Sequence, residues 1–222
     1  MAQEVITGTY VGDYDYVLDL LDRCYFPTRE GVANFHDNFV DALILAGEEK
    51  IAEGKVEQAV TLYKKAFTYP ENHQVFLVAE RATHINYCLG EAYAALGQDA
   101  EAEKYWKLAA EQDYELKGSK DFRYWTGLAL ERLGRKAEAE AIFSALVADG
   151  EAAVVTQHVN FYGAEGTTGV TVDIINSAAY YTQALGHLGL GHRGKAKRLF
   201  AEVQRLKPDH LWANEFMKQF EK

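Results

Sequence analysis

The sequence predicts an all-α fold, a stack of antiparallel helix pairs, and three observations predict it. Five glycines are each followed at +5 by a small residue, at +9 by a large apolar one and at +12 by another apolar or small residue. In the four later copies a second small residue stands seven places before the glycine. The composition of the 222 residues, 48% apolar and 25% charged with three prolines, is that of a folded soluble chain long enough to bury a core. The glycine reads as a turn, because it ends a helix in the left-handed conformation without a Cβ penalty. The +5, +9 and +12 residues then share one face of the next helix. A small side chain at +5 allows close approach, and the large one at +9 fills the adjoining hole.

The copies run in order along the chain. The first, Gly12-Val17-Leu21-Cys24, offers one helix from Asp13 to about Cys24 with no room upstream for another, so a half-repeat over about 13–24 is expected, as if cut from a longer protein. The second, over about 34–70, carries Gly47 and Gly54-Ala59-Tyr63-Ala66. The third, over about 83–112, carries Gly90 and Gly97-Ala102-Trp106-Ala109. The fourth, over about 120–149, carries Gly127 and Gly134-Ala139-Phe143-Leu146, and a long loop over about 150–175 follows it. The fifth, over about 177–207, carries Ala184 and Gly191-Ala196-Phe200-Val203. Pro208-Asp209-His210 then starts an amphipathic helix over about 210–221, suited to covering the open end of a stack. Successive +5 positions lie 42, 43, 37 and 57 residues apart, so every junction carries an insertion relative to a bare 34-residue array.

Leu89-Gly90-Glu91-Ala92-Tyr93 and Leu96-Gly97 make the fullest copy, and with Pro208 and Pro70 near the ends of two units the pattern resembles the tetratricopeptide repeat (TPR). The resemblance implies one TPR-like α-solenoid over 1–222, a right-handed superhelix of helix-turn-helix pairs with a C-terminal capping helix. Three further stretches, Cys24-Tyr25-Phe26-Pro27-Thr28-Arg29-Glu30-Gly31, Ala66-Phe67-Thr68-Tyr69-Pro70-Glu71-Asn72 and Ala184-Leu185-Gly186-His187-Leu188-Gly189-Leu190-Gly191, resemble the C-terminal helical region of bacterial two-part proteins. In that family a galactose-mutarotase-like β-rich domain comes first. It implies that domain as the first partner, with no catalytic residue of its own carried onto this chain.

A net charge of −10 opposes general binding to nucleic acid or anionic lipid, and no apolar run is long enough to span a membrane. The opening residues Met1-Ala2-Gln3-Glu4 lack a basic n-region and apolar h-region, which predicts a cytoplasmic protein. Seven histidines and two cysteines show no metal-ligand spacing, so no metal and no cofactor are expected. Cys24 and Cys88 read as small buried hydrophobes. Gly189-Leu190-Gly191-His192-Arg193-Gly194-Lys195 mimics a phosphate-binding loop, but Ala196 replaces the hydroxyl residue and no strand precedes it, so a glycine-rich turn is expected.

In TPR solenoids the first helix of each pair lines a concave surface. Stepping back three and six residues and forward one from the small residues selects Asp41, Ile44, Glu48, His84, Tyr87, Glu91, Asp121, Tyr124 and Tyr181 as a partner-binding groove. Tyrosine gives a rigid apolar face and a polar tip at low entropic cost; tyrosines at helix seams also simply pack. Carboxylates at Glu48 and Glu91 would repel an acidic peptide tail, so a basic or apolar segment, or a sugar ring stacked on tyrosine, suits the groove. Phe161 and Tyr162, in the long loop, form a candidate docking element. The basic segment 193–207 and acidic residues 1–60 supply a charge contrast for homo-oligomerisation. The functional expectation is a non-catalytic scaffold binding a protein or peptide, with completion of a carbohydrate-active site in a larger protein as the alternative.

Overall fold

All five repeat glycines adopt positive φ, from 70° at Gly97 to 82° at Gly12, and each closes one helix and releases the next. At Gly97 the N–H of Gln98 donates to the Tyr93 carbonyl (2.9 Å) and that of Gly97 to Ala94 (3.0 Å), the six-to-one and five-to-two bonds of a Schellman cap. The same pair recurs around Gly54, Gly134 and Gly191. The computed structural model describes residues 2–25, 35–68, 81–111, 120–156 and 172–221. Among these are eleven α-helices and no strand: α1 (Ala2–Val11), α2 (Tyr14–Arg23), α3 (Phe35–Ala52), α4 (Val56–Lys65), α5 (Ala82–Ala95), α6 (Asp99–Ala110), α7 (Arg123–Arg132), α8 (Lys136–Ala153), α9 (Val172–Gly189), α10 (Arg193–Leu206) and α11 (Leu211–Lys218).

The chain divides into two compact units, Met1–Gly118 and Ser119–Lys222. In the first, α1–α2, α3–α4 and α5–α6 are three antiparallel hairpins. Each second helix packs on the first helix of the next hairpin, and first helices also meet one another (α1 on α3, α3 on α5). In the second unit α7–α8 and α9–α10 repeat the scheme, with α7 on α9, and α11 packs against α10. This is a TPR-like arrangement of sequential helix pairs.

The expected size complementarity is the cement of both units. Ala59, Ala102, Ala139 and Ala196 are at most 1% exposed. A Cβ built on Gly47 would meet three atoms of the Tyr63 ring within 3.0 Å; on Gly90 it would meet Trp106, and on Gly127 it would meet Phe143, equally closely. Each glycine is thus the socket for the +9 aromatic of its own hairpin. In the second unit the sockets multiply, because Phe143 also lies against Gly189 of α9. Gly150 and Gly186 bring α8 and α9 so close that an added Cβ would fall 2.6 Å from a backbone carbonyl of the facing helix.

One expectation is corrected. The first copy has its first helix: α1 occupies the ten residues Ala2–Val11. It escapes the general pattern because the sizes are exchanged. Val5 is fully buried seven residues before Gly12, and the small residue is instead Gly8, whose Cβ would lie 2.5 Å from Cγ2 of Val17. The glycine has moved one turn along the helix to face Val17, the largest of the five +5 side chains. α8 continues to Ala153 and α9 begins at Val172, and most of the expected loop lies outside the described residues. Val155 closes the end of α8 through paired hydrogen bonds with the Asn176 amide, both 2.9 Å.

Candidate functional site

In the first unit the selected residues fall into two groups. Asp41 of α3 forms an ion pair with Arg81, the residue capping the start of α5; both side chains are buried. His84 lies one turn further along α5, fully buried, and burial followed by the Arg81 charge holds its imidazole well below the ordinary histidine range. Ile44 is also fully buried. These three therefore build the α3–α5 seam and do not face solvent. The second group surrounds Cys88, whose thiol is pushed up by burial first and then by the carboxylates of Glu48 and Glu91. Glu48 is exposed, while Tyr87 and Glu91 are half-buried. Glu91 accepts a hydrogen bond from the Trp106 indole (3.1 Å), fixing one carboxylate oxygen against α6. Glu48, Tyr87 and Glu91 are the accessible remainder of the expected groove in this unit.

In the second unit Asp121 is half-buried in the 3-10 turn Lys120–Phe122 before α7. Tyr124 and Tyr181 are buried, and the reason is α11. Phe216 stacks on Phe200 (5.2 Å, 10°) and meets Tyr124 edge-on (5.8 Å, 85°), with Tyr181 at 6.4 Å. The His210 ring, which caps α11 by accepting from the Ala213 N–H, lies 4.4 Å from the Tyr181 ring. The tyrosines selected as a binding stripe are here covered by the chain's own last helix. Phe161 and Tyr162 lie outside the described residues.

Sequence reasoning missed a cleft of about 390 Å³ in the first unit, lined by Gly12, Asp13, Tyr14 and Asp15 at the first turn, by Ala46, Glu49 and Lys50 of α3, and by Gln58, Thr61 and Leu62 of α4. The available signal was the density of acidic residues before position 60; what was unreadable was that α1 exists and brings its turn against the second hairpin. Lys50 turns its ammonium to Glu53 (3.2 Å). The first unit holds 10 Lys and Arg against 21 Asp and Glu, a net −11, whereas the second, with 13 against 12, is near neutral.

No group of three or more His, Cys, Asp or Glu among the described residues is placed to hold a metal. The phosphate-loop mimic is the turn between α9 and α10, preceded by a helix and not a strand. No helix among the described residues is long and apolar enough to cross a membrane.

These features define an all-α protein built of sequential helical hairpins in a TPR-like arrangement. No protein-family model and no curated protein matches the chain. Among solved structures it is similar to YrrB, described as a TPR protein with an unusual peptide-binding site, at 17% identity and a TM-score of 0.33 over 96% of this chain and 88% of that one. It is also similar to MamA AMB-1, at 18% identity and 0.33 over 93% and 96%, and to MamA MSR-1, at 16% and 0.31 over 93% and 94%.

Proposed function

We propose that the protein is a non-catalytic scaffold whose first unit docks a basic, partly apolar segment of another protein. The observation that carries this reading is where the charge sits: the whole net negative charge belongs to the first unit, and its accessible side chains at the inner offsets are two carboxylates and a tyrosine, Glu48, Glu91 and Tyr87. A lysine or arginine would meet Glu48 while its stem or a neighbouring apolar residue lies on the Tyr87 ring. The cleft at the first turn, with Asp13, Asp15 and Glu49 on its wall, gives a second place for a basic side chain. Because Glu48, Asp13, Asp15 and Glu49 are exposed, each contributes little alone, and the reading requires strong salt dependence. A β-rich domain of a longer protein is one candidate source of such a segment, following the resemblance of the junction sequences.

The test uses the full chain and labelled peptides in fluorescence anisotropy. Peptides alternating Lys or Arg with apolar residues should bind, their Glu counterparts should not, and raising salt from 50 to 300 mM should weaken binding by about tenfold or more. Glu48→Lys and Tyr87→Ala should each weaken it with the helical circular dichroism unchanged. Equal binding of the acidic peptides, or no effect of either substitution, would refute the reading.

A further inference from the structure

Independently of the first unit's acidic face, we propose that the seat of α11 in the second unit is a helix-binding groove, occupied in the resting chain by its own C-terminal helix and open to a partner helix bearing large aromatic side chains at i and i+4. The observation is the reach of α11. A helix that only closed the end of the stack would cover the last hairpin, α9–α10. Instead Trp212 meets Trp125 of α7 edge-on (6.2 Å, 75°), and Phe216 contacts both Trp125 (6.5 Å) and Tyr124 (5.8 Å). The helix thus crosses back to the first helix of the preceding hairpin. In the turn just beyond the helix, Phe220 adds a further ring, 6.3 Å from Phe200 and beneath the Arg193 guanidinium at 4.9 Å.

Side chains spaced by four on an amphipathic helix, each entering an aromatic recess, are the pattern by which a protein groove recognises a helical ligand. The occupant also has the properties of a ligand. It spans eight residues, too few to hold a helix alone in water, so it folds only when seated. The chain joining it to α10 is four residues, Lys207–His210. Such a tether maintains an effective concentration of about a millimolar or more, enough to keep a weak ligand in place. A partner helix then competes with α11, and its apparent affinity is lowered by the fraction of time the seat is open. Partner specificity follows from the same recesses: the displacing helix is aromatic, not merely apolar.

The probe is a fluorescein-labelled synthetic peptide of residues 207–222, titrated into the full-length wild-type chain and the full-length Trp212→Ala/Phe216→Ala variant. The variant should bind the peptide at least about tenfold tighter than wild type, because its own helix no longer holds the seat. A folded variant that fails to bind, or that binds no better than wild type, overturns the proposal. Should the variant not fold, hydrogen exchange on the wild-type chain decides. The proposal requires α11 amides to exchange through an opening that leaves α9 and α10 protected; exchange of all three only together would make α11 an inseparable part of the core and refute it.

Discussion

Three glycines within six residues, Gly189, Gly191 and Gly194, separate the packing argument from any general statement about glycine. An alanine Cβ at Gly189 would meet Cγ, Cδ1 and Cε1 of Phe143 within 2.5 Å. The ring has little room to retreat, because Gly127 of α7 also lies against it and Phe143 is 1% exposed. Overpacking of this kind costs about 1–3 kcal/mol, against a gain of at most about 1 kcal/mol from replacing a helical glycine, so Gly189→Ala should destabilise by about 1–2 kcal/mol. Gly191 has open space around its Cβ position but φ of 74°, so Gly191→Ala should cost about 1 kcal/mol through backbone strain alone. Gly194 stands in the first turn of α10 with negative φ and no atom within 4 Å, and Gly194→Ala should be neutral or stabilise by up to about 1 kcal/mol. Urea unfolding followed by tryptophan fluorescence is the assay, since Trp125 and Trp212 both report on this unit. The decisive control is the double variant Phe143→Leu/Gly189→Ala, in which the smaller side chain should relieve much of the glycine penalty. If Gly189→Ala and Gly194→Ala shift the midpoint in the same direction, or the double variant is strictly additive, the ring does not sit between the two helices and the register is wrong.

Other expectations follow from the same geometry. Asp41→Ala removes the carboxylate paired with the buried Arg81 guanidinium and should cost up to about 3–5 kcal/mol in chemical denaturation, with Asp41→Leu/Arg81→Met recovering most of it. The imidazole of His84 is held below its unfolded value near 6.5, so the unfolded state binds the proton more readily. That contribution is complete above about pH 6.5 and is lost as pH falls through the folded value; the urea midpoint should drop between pH 7.5 and 5, and less steeply in His84→Leu. His187, lowered by burial and then by the charges of Lys195 and His192, acts with the same sign in the second unit. Gly8→Ala should destabilise by about 1–2 kcal/mol in the wild-type background and become neutral or favourable when combined with Val17→Ala, as measured in a double-mutant cycle.

Fold and site were legible to different depths because they use different physical signals. The hairpins are repeated decisions, each taken locally: a residue that tolerates positive φ, a small side chain, an aromatic at the right height. Four of the five copies make those decisions in the same order, so Ala59, Ala102, Ala139 and Ala196 could be placed in the interior without coordinates. The first copy makes the same decision with the roles reversed, Gly8 facing Val17, and a search for a fixed order of sizes passes over it although the paired volumes are conserved. The groove depends on something no single repeat contains. Tyr87, Tyr124 and Tyr181 stand at one offset in three first helices, yet Tyr87 remains half-exposed while the other two are buried, where Phe216 and His210 meet them from outside the repeat. Periodicity specifies which face of a helix points inward; it does not specify what else occupies that space. The amphipathic pattern of residues 210–221 could announce a helix needing an apolar seat, and the tyrosine stripe could announce a seat needing an occupant, but only the fold shows that in the second unit each answers the other.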